Sequence, residues 1–69
     1  MAMSDYNAAI AADPSLVNAY FNRATLYERI GQFEKAIADY NRVLIMDPAD
    51  TEARQHRQSM TQRISGRGF

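Results

Sequence analysis

Apolar side chains recur along this chain at three- and four-residue steps, the spacing of one helix face, and no stretch of useful length alternates with period two. The pattern predicts an all-α chain of four helices. The first is expected from Ala2 or Ser4 to Ala12, with Ala2, Met3, Tyr6, Ala9 and Ile10 along one side. The second begins near Ser15 and carries Leu16, Ala19, Tyr20, Arg23, Ala24, Tyr27 and Ile30 as a broad stripe. The third spans Phe33 to Met46, with Phe33, Ala36, Ile37, Tyr40, Val43, Leu44 and Met46 turned inward. The fourth, from Asp50 or Thr51 to Ile64, keeps Ala53, Met60 and Ile64 but is polar almost everywhere else. Asp13-Pro14 and Asp47-Pro48 divide the pattern, the aspartates reading as helix caps and the prolines as first-turn residues. Gly31 is placed to take the left-handed C-terminal conformation, and residues 65–69 read as a frayed tail.

A second, longer period overlies the first. Ala2, Asp5-Tyr6-Asn7 and Asp13-Pro14 reappear 34 residues on as Ala36, Asp39-Tyr40-Asn41 and Asp47-Pro48; Ala19, Arg23 and Arg29-Ile30 reappear as Ala53, Arg57 and Arg63-Ile64. Self-similarity at this spacing marks stacked helical hairpins, none of which buries its apolar face without a neighbour.

Composition narrows the function. Sixty-nine residues allow one small domain, whose single core gives a margin on the order of 3–5 kcal/mol. Eight basic and eight acidic side chains cancel, so no global field draws the chain to nucleic acid or membrane. Residues 51–69 alone are basic, with Arg54, Arg57, Arg63 and Arg67 against Glu52. No cysteine is present, which leaves the compartment open, a cytoplasmic setting being favoured. No run approaches the roughly 18 apolar residues of a membrane span.

The stretch Asn18-Ala19-Tyr20-Phe21-Asn22-Arg23-Ala24-Thr25-Leu26-Tyr27, then Gly31-Gln32-Phe33-Glu34-Lys35-Ala36-Ile37, Tyr40, Val43-Leu44 and Asp47-Pro48, resembles one complete tetratricopeptide repeat. Tyr20, Ala24, Tyr27, Ala36, Tyr40 and Pro48 carry the types that family prefers, while Arg23 replaces an aliphatic residue and Val43 an alanine. The resemblance implies antiparallel hairpins of a right-handed solenoid. Within residues 1–64, residues 2–13 match the second helix of a preceding repeat, 15–48 a full repeat, and 50–64 a polar capping helix. It further implies a scaffold that binds a peptide or partner protein on its concave face. The side chains expected there are Asn18, Phe21, Asn22, Thr25, Glu28 and Arg29, with Gln55 and His56 from the last helix. Tyr20-Phe21-Asn22-Arg23-Ala24 also resembles repeats that clamp the C-terminal carboxylate of chaperones, but only through Asn22. Glu52 and His56 stand where that clamp needs basic residues.

The two ends differ. The last helix has Arg54, Gln58 and Thr61 where the complete repeat has Tyr20, Ala24 and Tyr27, so its outer side is polar, as at the end of a solenoid. The first helix has no such change, and the chain reads as the C-terminal part of a longer array. Self-association is expected through Met3, Tyr6 and Ile10, in a two-fold homodimer, with head-to-tail stacking opposed by Arg54 and Gln58.

No cofactor, metal or catalytic role is expected. His56 is the sole histidine and lies on the most polar helix, while Glu28 with Arg29 and Asp39 with Arg42 read as ordinary surface charges. RNA contact through Arg54, Arg57, Arg63, Arg67 and Phe69 is the alternative function.

Overall fold

The computed structural model describes residues 2–66. It consists of α1 (Ala2–Ala12), α2 (Val17–Arg29), α3 (Phe33–Met46) and α4 (Thr51–Gly66). No strand occurs among the described residues. Each helix packs on its neighbour in the chain, most extensively α2 on α3. α4 continues through Ser65 and Gly66, past the expected end at Ile64. Arg67 and Phe69 lie outside the described residues.

The turns obey different chemistry from that expected. Asp13 Oδ1 accepts from the Ser15 N–H at 3.1 Å and the Ser15 hydroxyl at 2.6 Å, and Asp47 Oδ1 accepts from the Ala49 N–H at 3.3 Å. These carboxylates fold back two residues onward, so they shape the turns rather than cap the helices. The Ser15 hydroxyl, followed by its N–H, holds the Asp13 carboxyl below the usual range. α2 starts after Leu16 without a side-chain cap. α4 is capped by Asp50, whose Oδ1 accepts the Ala53 N–H at 3.0 Å.

Between α2 and α3 the expected glycine turn forms. Gly31 has φ +84°, its N–H donates to Glu28 O at 3.2 Å, and the Gln32 N–H donates to Tyr27 O at 2.8 Å. This pair of reversed bonds satisfies the carbonyls that the helix end leaves free.

Ala24, Ala36 and Ala53 are fully buried, so the helices approach closely where side chains are smallest; Tyr40, Met60 and Val43 fill the space around them. Ile10, Val17, Phe21, Tyr27, Phe33, Ile37, Leu44 and Met46 pack around this cluster. Two members of the expected α2 stripe do not belong to it. Leu16 and Ile30 are 40% and 58% exposed. They flank the helix rather than lie within it, so helical spacing does not govern where they face.

The core also holds one ion pair. Asp39 is buried and receives two bonds from Arg23, Nε to Oδ2 at 2.7 Å and a terminal nitrogen to Oδ1 at 2.8 Å. Arg23 also donates to Asn7 Oδ1 at 3.0 Å, joining three helices, and lies over the rings of Tyr20 and Tyr27. The Asp39 bond above all raises the guanidinium pKa, against the effect of burial. Asp39 is thus no surface charge paired with Arg42. Its partner comes from the facing helix, and Arg42 lies over Tyr20.

Candidate functional site

α2 and α4 present one shared face, and the aromatic side chains beneath it fix its shape. Phe21 meets Tyr40 edge to face at 5.6 Å and His56 at 6.0 Å, while Tyr40 and His56 stack at 5.3 Å with their planes 15° apart. Phe21 is therefore half-buried floor, not a free anchor. Glu28 closes the group: its Oε1 accepts the Tyr40 hydroxyl at 3.0 Å and lies 3.2 Å from His56 Nδ1. The Tyr40 oxygen also lies 3.2 Å from the Thr25 hydroxyl. Burial, foremost, pushes the Tyr40 hydroxyl up to about 12. His56 is half-buried among these groups, not the solvated side chain expected from a polar helix.

Three open depressions run across this face. The first, about 230 Å³, is lined by Tyr6, Asn22, Thr25, Leu26 and Arg29. The second, about 270 Å³, shares Thr25 and Arg29 and adds Glu28, His56 and Arg63. The third, about 260 Å³, shares Glu28 and His56 and adds Gln55 and Ser59. Shared walls make them one trough from α1 across α2 to α4.

Of the expected binding residues, Asn22, Thr25, Glu28, Arg29, Gln55 and His56 line the trough, Phe21 underlies it, and Asn18 is exposed outside these depressions. Tyr6, Leu26, Ser59 and Arg63 line it as well. Arg63 was legible as a candidate, since it stands one period after Arg29. Of the residues expected to self-associate, Ile10 packs against the core, Tyr6 borders the trough, and Met3 is half-buried.

The tetratricopeptide repeat family model matches residues 17–50, from the first residue of α2 to the Asp50 cap of α4. The chain belongs to the tetratricopeptide repeat family. No curated protein matches it. Tetratricopeptide repeats are protein-interaction scaffolds and typically non-enzymatic, so the natural partner class is protein. Within the tetratricopeptide repeat formed by α2 and α3, the family's aromatic sites Tyr20, Tyr27 and Tyr40 retain their packing role. Arg23, at an aliphatic site of the family, is accommodated by Asp39 beneath it. Among the described residues no helix is long and apolar enough to cross a membrane.

Proposed function

We propose that the trough across α2 and α4 holds an extended peptide segment of a partner protein. The observation that carries this is continuity: the depressions share Thr25 and Arg29, then Glu28 and His56, so one strand of ligand can run from one repeat into the next. Half-buried Phe21 and His56, resting on the fully buried Tyr40, offer apolar surface. Asn22, Thr25, Arg29 and Gln55 offer the hydrogen-bonding groups that an extended backbone requires. Self-association through α1 forms part of the same proposal.

The nucleic-acid alternative is less well supported. Arg57 is bonded to Asn41 at 2.8 Å, Arg54 to the Pro48 carbonyl at 2.7 Å, and Arg63 lies over Phe33. Side chains so engaged are less available to phosphates.

The test is peptide selection from a random display library, followed by amide chemical-shift mapping. Selected peptides should shift the amides of Asn22, Thr25, Arg29 and His56, and Asn22→Ala with Arg29→Ala should weaken them about tenfold or more. Shifts confined to the α1 and α3 surfaces away from the trough would overturn the proposal.

A further inference from the structure

Arg23 and Arg57 stand one repeat apart, and each donates to an asparagine of the helix before it, but Arg23 alone also has a carboxylate and the rings of Tyr20 and Tyr27 beside it. Arg23 lies between Asn7 of the helix before it, at 3.0 Å, and Asp39 of the helix after it, at 2.7 and 2.8 Å. Arg57 keeps the first half of that arrangement, donating to Asn41 Oδ1 at 2.8 Å. Among the described residues no carboxylate answers its other side. Asp5 occupies the register of Asp39 one repeat earlier; it is exposed on α1 and has no partner among the described residues. The last helix thus carries a cation lacking its carboxylate, and the first carries the matching carboxylate lacking its cation.

We propose that α1 of one copy docks on α4 of the next, head to tail, with Asp5 engaging Arg57 as Asp39 engages Arg23. This rests on the self-association reading and deepens it by naming the two surfaces that meet. The α2–α3 hairpin is the template, because α4 and α1 repeat its two helices in the same order and register.

The polar side chains of α4 do not block this docking. Arg54 turns back to the Pro48 carbonyl at 2.7 Å, and the Thr61 hydroxyl donates to the Arg57 carbonyl of its own helix at 2.9 Å. With Arg57, Gln58 and Gln62 they line an open groove of about 470 Å³. Gln58 is larger than Ala24 in the equivalent place, but Ala9 is smaller than Val43, which offsets that one increase in side-chain volume. A two-fold contact between α1 helices would instead give Asp5 no cation from α4 and leave Arg57 unanswered. Head-to-tail contact joins two different faces and each added copy presents both again, so growth continues past a pair.

Sedimentation equilibrium of the 69-residue chain, taken to about 1 mM where weak interfaces are populated, decides it. The expected mass rises past that of a dimer. Asp5→Arg and Arg57→Glu each weaken association about tenfold or more, and mixing the two variants restores it, since opposite charges then meet at both kinds of contact. Asp5 is exposed, so its variant keeps the fold. Should Arg57→Glu lose helicity by circular dichroism, Arg57→Gln replaces it and weakens association without rescue by mixing. A mass that stops at the dimer and ignores the Arg57 variants overturns the head-to-tail geometry and leaves a two-fold contact standing. A monomer throughout overturns self-association itself.

Discussion

Replacing Arg23 with leucine removes both donors from Asp39, whose side chain is 8% exposed, and strands a carboxylate inside the helix pair. Removing one partner of a buried pair costs about 3–5 kcal/mol, as much as the whole margin of a domain of this size. Arg23→Leu is therefore expected to be largely unfolded in water at room temperature. Asp39→Leu should be milder, about 2–3 kcal/mol, because the stranded guanidinium is 20% exposed, keeps the Asn7 oxygen at 3.0 Å and rests on Tyr20 and Tyr27. The double variant, with apolar groups in both places, should lie within about 1 kcal/mol of the wild type. Urea unfolding followed by far-ultraviolet circular dichroism, with each protein stabilised by graded trimethylamine oxide and extrapolated to none, measures all four corners of the cycle. A double variant less stable than either single would refute the argument, as would an Arg23→Leu milder than Asp39→Leu.

Three further outcomes are expected. Gly31→Ala should cost about 1–2 kcal/mol through backbone strain alone, since φ is +84° and no atom lies within 4 Å of the added carbon; unchanged urea midpoints would contradict this. Asp50→Ala should cost about 1 kcal/mol and fray the start of α4, visible as faster amide exchange at Ala53. The Tyr40 hydroxyl, pushed from 10.0 to about 12, supports the fold fully below the lower value, and that support is lost as pH rises through the higher one. Ultraviolet titration of phenolate should show a late phase that Tyr40→Phe abolishes.

Much of the architecture was legible because its signals were local. Phe33 to Met46 emerged with the right ends because a strong periodicity is bounded by Gly31 on one side and Asp47-Pro48 on the other. The small residues Ala24 and Ala36 stood out for the same reason. What escaped depends on which helices face each other. Asp39 sits three residues from Arg42, and proximity in sequence suggested that pairing, whereas its partner lies 16 residues away on the opposite helix. His56 looked solvated because its own helix is polar; its place is decided by Tyr40 and Phe21, which belong to other elements. The trough was readable as α2 positions with Gln55 and His56, and Arg63 by its place one period after Arg29, but its extension onto Ser59 follows only from the stacking of α4 beside α2.

The bonds of Arg23 to Asn7, of Arg23 to Asp39 and of Arg57 to Asn41 each link residues 16 positions apart. That step is shorter than the 34-residue unit, so duplication or deletion of a whole unit by recombination leaves every surviving guanidinium seated beside an asparagine of the helix before it. A gene of this kind can lengthen or shorten without mismatched junctions, because every unit offers the same asparagine, in the same register, to the arginine of the helix that follows it.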